Sequence, residues 1–205
     1  MSRVASPRDE VLARVHQAIQ AAAPPPAIPR DYRAQTAADI EEFIQRLGEY
    51  GATTQRVTSD QLDTAVVTTL RNDGIRRLVV PDGIPEAWFA GAEPLRDTPP
   101  LDHHALDHAD GVVTMCAIAI AQTGTIVLDA GSGMGRRALS LIPDYHLCVV
   151  RAEQIVGSVP EALAALDPTR PLTLFSGPSS TVDIEMVRVQ GVHGPRRLHV
   201  IVAGR

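Results

Sequence analysis

The sequence predicts an α/β protein built in layers on a largely parallel sheet. Three observations carry that expectation. Residues 52–80 run strand, helix, strand at a spacing that fits a βαβ unit, and roughly seven or eight short β-rich runs alternate with helical patterns along the chain. Hydrophobic residues make up 44% of 205 positions but aromatics only 3%, so the core must be mostly Val, Ile, Leu and Ala. One domain with a small N-terminal appendage accommodates this length, and no internal repeat is visible.

Taken in order, Ser6 is placed to cap a first helix, with Pro7 at its first position and Asp9 and Glu10 near its positive end. Val11, Val15, Ala18, Ile19 and Ala22 keep helical spacing until Pro24, Pro25 and Pro26 end it. The stiff stretch to Arg33 separates an N-terminal helix and Pro-rich linker, 1–33, from an α/β domain, 34–205. A second helix is expected from Thr36, with Asp39 three residues on as in a capping box. Its stripe is Ile40, Phe43, Ile44 and Leu47, and Gly51 stops it. A strand over 52–58 precedes a third helix, capped by Ser59 and bearing Leu62, Val66, Val67 and Leu70. Leu78, Val79 and Val80 then read as a short buried strand. Residues 82–110 form a Pro-, Gly-, Asp- and His-rich connector with brief helical turns around Trp88 and Ala105. A strand at 112–114 leads into a buried helical segment over 115–121. Further strands are expected at 125–128, 147–150, 172–175, 187–189 and 198–202, with a helix framed by Ser158 and Glu161.

A net charge of −5 and the scarcity of aromatics argue against a nucleic-acid surface or an anionic membrane. No run approaches the ~18 apolar residues of a membrane span, and no N-terminal stretch reads as a signal peptide, so a cytoplasmic location is expected. Cys116 and Cys148 sit apart in apolar segments without a C-x-x-C, which predicts buried free thiols rather than an iron–sulfur or zinc site. Asp102, His103, His104, Asp107, His108 and Asp110 have helical spacing suited to a metal. They lie in a Pro-rich connector, however, and read as a solvated turn, so no metal ligands are assigned.

Three glycine-bearing loops next to strands carry the candidate chemistry. The first follows 125–128 and contains Gly131, Gly133 and Gly135, then Arg136 and Arg137, with Gly124 before the strand. Its backbone N–H groups are suited to surround an anion, and the arginines to add directional charge; a flexible surface turn is the equal alternative. It matches neither the dinucleotide fingerprint nor the P-loop. The second runs S-G-P-S-S-T-V-D-I-E from Ser176. Ser176, Gly177 and Ser179 offer donors and acceptors, and Asp183 and Glu185 are candidate acid/base groups or arginine-orienting carboxylates; a Ser-rich cap is the alternative. The third holds His193, the best candidate to titrate near neutral pH, followed by Arg196; a hairpin turn is the alternative. Ligands in open α/β sheets collect beyond strand ends, so Arg136, Ser176, Asp183 and His193 are expected to converge if the three loops share one edge.

A-I-A-Q-T-G-T-I-V-L at 119–128, R-R-A-L-S-L-I-P-D-Y-H at 136–146, S-G-P-S-S-T-V-D-I-E at 176–185 and G-V-H-G-P-R-R-L-H-V at 191–200 together resemble the lactate-utilization protein C family, across roughly residues 36–203. The resemblance implies a three-layer α/β fold with a mostly parallel central sheet flanked by helices, similar to the sugar-phosphate isomerase and CoA-transferase superfamily. It also implies membership of a multi-protein system oxidising L-lactate to pyruvate, in which partner subunits carry the iron–sulfur centres. The leading expectation is a non-redox component that binds a small anionic ligand, the iron–sulfur partners, or both. The identity of any cofactor is left unknown. Where many relatives have an acidic residue this chain has Gln122, so a carboxylate nucleophile of CoA-transferase type is missing there. A free-standing isomerase or transferase acting on a phosphorylated or CoA-linked molecule is the alternative.

Overall fold

A computed structural model describes residues 6–20, 26–29, 35–181, 189–190 and 193–204. Pro24, Pro25 and residues 30–33 of the expected linker, Asp183 and Glu185, residues 187–188 of the expected 187–189 strand, and residues 191–192 lie outside the described residues. The chain divides into two compact units, Met1–Arg33 and Ala34–Arg205. In the first, α1 (Pro7–Ile19) opens with a reciprocal cap. The Asp9 N–H donates to the Ser6 hydroxyl at 3.3 Å and the Ser6 N–H to the Asp9 carboxylate at 3.1 Å. Val11, Leu12, Val15 and Ile19 of this helix are exposed.

In the second unit, α2 (Ile40–Glu49) begins one turn later than expected. Asp39 is its N-cap, and one carboxylate oxygen accepts the N–H groups of Glu41 at 2.9 Å and Glu42 at 3.3 Å. A carboxylate at the positive helix end outcompetes the Thr36 hydroxyl; Thr36 instead donates its N–H to Glu161 at 3.2 Å. β1 (Thr53–Val57) follows, then a 3₁₀ turn over Ser59–Gln61 and α3 (Leu62–Asn72), so Ser59 opens the turn while Thr58 is its N-cap. β2 (Arg77–Val80), β3 (Glu93–Arg96), α4 (His103–Asp107) and β4 (Gly111–Thr114) come next. β3 was hidden in the connector because Pro94 breaks the pattern, and it occupies the sheet edge, where proline is tolerated. β5 (Ile118–Ile120), β6 (Thr125–Leu128), α5 (Arg137–Leu141), β7 (Tyr145–Arg151) and β8 (Ile155–Val156) lead to α6 (Val159–Ala165). β9 (Thr173–Phe175), the short bridge of β10 (Ser180–Thr181) with β11 (Val189–Gln190), and β12 (Arg197–Ala203) complete the chain.

Six strands form the central sheet in the order β1-β12-β7-β4-β2-β3, and every pairing is parallel. Such a sheet must bury both faces. The pleat divides its side chains accordingly. Leu147, Val149, Ile201 and Ala203 pack with Val66, Leu70 and Trp88, while Cys148, Val150, Val200 and Val202 pack with Phe43 and Leu47 of α2. Leu106 of α4 and Leu139 of α5 cover Val79 and Val112.

A second sheet, ordered β8-β5-β6-β9, lies against the α2 side through Ala119, Ile126 and Leu128. Here the helix expected over 115–121 is instead a strand. Ala119 faces the central sheet's core, and Ile118 and Ile120 face Ala162 of α6, so both sides are buried. A short apolar run buried on both sides has no period to distinguish strand from helix.

Leu47 is fully buried between α2 and the central sheet. Leu47→Ala should lower the unfolding free energy by about 2–5 kcal/mol in urea titration. Leu163→Ala, at a side chain 56% exposed, should change it by less than about 0.5 kcal/mol.

Candidate functional site

A cavity of about 550 Å³ opens beside the first residues of β7 and β12. Its floor is His146 and Leu198, paired in register on those strands. One wall is Phe175 with the loop Ser176, Gly177, Pro178 and Ser179; the facing wall is His193, Gly194 and Pro195. Ser179 joins the two loops: its N–H donates to the Pro195 carbonyl at 2.7 Å, and its hydroxyl accepts the His193 N–H at 3.1 Å. The Ser176 hydroxyl is 2.8 Å from that of Thr125, which is 2.7 Å from that of Thr123. Gly177 is required by close packing, since a Cβ there would come 2.6 Å from Tyr50 Cβ.

His146 is only 2% exposed. Its Nε2 lies 2.7 Å from the Thr114 hydroxyl, and its ring is 5.2 Å from that of Phe175. Complete burial pushes its pKa down to about 3, so the imidazole is neutral at physiological pH. The other ring nitrogen, Nδ1, has no hydrogen-bond partner among the described residues.

The arginines near the loops divide by partner. Arg136 grips Asp97 in a fork, Nε at 2.8 Å and a terminal nitrogen at 3.0 Å, and also donates to the Leu101 carbonyl at 2.5 Å. Burial raises the Asp97 pKa, but the Arg136 guanidinium and the Leu101 N–H outweigh it and hold the carboxyl below its ordinary value. Arg196 makes a similar fork to Asp144, which lowers the pKa of that carboxyl. Arg137, exposed on α5 and lining the cavity, has no carboxylate partner among the described residues. It is a free cation over a pocket whose described lining holds no acid.

The glycine loop lies at the other end of the sheet, beyond the carboxyl ends of β2 and β4. The Gly133 N–H donates to Asp82 O at 2.7 Å and the Met115 N–H to Gly133 O at 2.8 Å. The N–H groups of Gly131, Met134 and Gly135 bond within the loop, to Asp129 and to Gly131 O. With these donors directed inward, the loop does not present the expected anion cradle. The space beside it, about 340 Å³, is bordered by Asp82 and Asp97. A Cβ at Gly135 would meet Leu139 at 2.6 Å, and one at Gly124, where φ is +60°, would meet Arg46 at 2.6 Å. These glycines serve packing and turns. Ala130, with φ +58°, holds the left-handed conformation that starts the loop's turn.

Of the expected site residues, Ser176, Gly177, Ser179 and His193 come together, whereas Gly124, Gly131, Gly133, Gly135, Arg136 and Arg196 do not join them. Arg137, His146 and Thr173 were not singled out from sequence. Arg137 was seen only as half of a pair, and no local signal marks a strand histidine whose character comes from tertiary burial. The Asp/His cluster has structural uses. Asp102 caps α4 through the Ala105 N–H at 2.7 Å, and Asp110 accepts the N–H groups of Arg76 and Arg77 at 2.8 Å each. Cys116 and Cys148 are buried free thiols, with burial pushing Cys148 up to about 12.

A family model described as the LUD domain matches residues 31–203. Lactate utilization protein C of Deinococcus radiodurans is 48% identical over 202 residues, covering 95% of this chain and 94% of that protein. Lactate utilization protein C of Bacillus subtilis is 32% identical over 108 residues, 48% of this chain and 45% of that protein. A crystal structure of a DUF162 family protein from Deinococcus radiodurans superposes with a TM-score of 0.68 at 46% identity, covering 80% of this chain and 96% of that one.

Two measurements separate the structural groups from the free ones. Arg136→Ala strands the Asp97 carboxylate and should cost about 1–2 kcal/mol, discounted for a part-exposed guanidinium; Arg137→Ala should cost less than about 0.5 kcal/mol in the same denaturant titration. His146 is neutral in the fold to about pH 3, while in the unfolded chain it takes up a proton near its ordinary value of 6.5. Its stabilising contribution is therefore complete above pH 6.5 and is lost as pH falls toward 3. Across that window, stability of His146→Gln should fall less steeply than wild type, by about 1.4 kcal/mol per pH unit.

Proposed function

The chain belongs to the LUD domain family, and from that premise we propose that it serves lactate utilization as a non-redox component of a multi-protein system oxidising L-lactate to pyruvate. In this reading it works in the cytoplasm beside iron–sulfur partner subunits and binds a small anionic ligand. Likeness along nearly the whole chain to a protein named Lactate utilization protein C supports the metabolic role. Two buried, protonated thiols support a subunit that leaves electron transfer to its partners.

The observation that carries the ligand-binding part is Arg137, unpaired among the described residues above a cavity with no described acidic lining. In that cavity a carboxylate or phosphate gains a charge-assisted hydrogen bond without first displacing a protein carboxylate. Ser176, Gly177, Ser179 and His193 shape the same space, and the exposed His193 ring sits at its rim. Neutral His146 contributes a hydrogen-bonding atom rather than a charge. Arg136 and Arg196, already neutralised by Asp97 and Asp144, hold loops in place.

In a lactate-using host, deletion of the gene should abolish growth on L-lactate and spare growth on pyruvate, and the purified chain alone should oxidise no lactate. Complementation with Arg137→Ala should restore protein level but not growth. Undiminished growth on L-lactate after deletion would contradict the role.

A further inference from the structure

The cavity is far larger than a ligand such as L-lactate requires. Lactate has about six heavy atoms, whereas cavities of roughly 300–1,000 Å³ suit molecules of drug size; this one is about 550 Å³. Its lining is mostly hydrocarbon, with Tyr50, Leu141, Phe175, Pro178, Pro195 and Leu198 around the space. The three serine hydroxyls of the lining are occupied. The hydroxyls of Ser176 and Ser179 bond to Thr125 and to the His193 N–H, and that of Ser140 donates to the Arg137 carbonyl at 3.2 Å.

Besides the exposed Tyr50 hydroxyl and the exposed His193 ring, the lining leaves the Arg137 guanidinium, His146 Nδ1 and the Thr173 hydroxyl without a partner among the described residues. Arg137 offers a full positive charge from an exposed position on α5. His146 offers Nδ1 from the floor, on a side chain 2% exposed. The Thr173 hydroxyl, on a residue 8% exposed, is likewise without a partner among the described residues. Between rim and floor stand the Phe175 ring and the proline and leucine side chains. An apolar-walled space with one cation at its mouth and neutral hydrogen-bonding atoms at its base matches a flat organic acid with a polar far edge.

We propose that this cavity binds a planar aromatic carboxylate, its anionic group on Arg137, its ring against Phe175 and a polar substituent at the His146 floor. The proposal rests on the reading of the cavity as an anion site and gives that site a ligand class distinct from lactate. A simple anion gains only the Arg137 contact there, while an aromatic acid also removes apolar wall from water.

The test is isothermal titration of the full chain with 6-hydroxy-2-naphthoate, 2-naphthoate, neutral 2-naphthol, L-lactate and inorganic phosphate. The hydroxynaphthoate should bind with one-to-one stoichiometry and at least tenfold tighter than 2-naphthol, lactate or phosphate. Arg137→Gln should weaken it about tenfold with no change in thermal midpoint, and 2-naphthoate, lacking the far hydroxyl, should bind severalfold more weakly. Equal affinity for naphthol and naphthoate, or no loss in Arg137→Gln, would overturn the proposal. Arg137-dependent binding of lactate or phosphate with none of the aromatic acid would overturn the ligand class while leaving the anion-site reading standing. Absence of Arg137-dependent binding by any anion would overturn both.

Discussion

Seven consecutive residues of β7 and β12 pair in parallel register, from Tyr145 opposite Arg197 to Arg151 opposite Ala203. This ladder is the constraint from which the rest follows. Its strands are interior to the sheet, so each needs apolar cover on both faces, and the chain supplies α3 on one side and α2 with a second sheet on the other. The cover thins at the ladder's beginning. There Leu198 and His146 meet a cavity walled by the loops after β9 and before β12. His146 is thereby desolvated by the same packing that buries Cys148 and Val150 farther along the strand.

Much of this was legible from local pattern. The stripe of Phe43 and Leu47, the β-rich runs that became β6, β7 and β12, and the Ser158–Glu161 frame of α6 carry their own period or capping chemistry, so they reappear with small shifts of boundary. Two misreadings share another cause. Ile118–Ile120 is buried on both sides and so has no alternation, and β3 gains its place only by pairing with β2 at the sheet edge. Neither fact exists before the sheet does.

The candidate site was legible in the same uneven way. The loops at 176–179 and 193–195 were recognisable by hydroxyls and glycine beside strands, and they do meet. The glycine loop, expected to share that edge, lies at the opposite end of the sheet. Its glycines answer to Met115, Pro81 and Leu139, which crowd the positions their side chains would fill. Adjacent Arg136 and Arg137 look alike in sequence, yet Asp97, distant in the chain, neutralises one, while the other has no carboxylate partner among the described residues. Ion-pair partners thirty-nine positions apart are invisible to a reading of spacing.

That division of labour between neighbouring arginines is the centre of the account, because it decides which loop receives an anion. Anomalous diffraction from crystals soaked in bromide tests it most directly. Bromide is expected beside Arg137 in the cavity lined by Phe175, and none within the Gly131–Gly135 loop. Bromide held by the loop's backbone N–H groups, with none at Arg137, would contradict it.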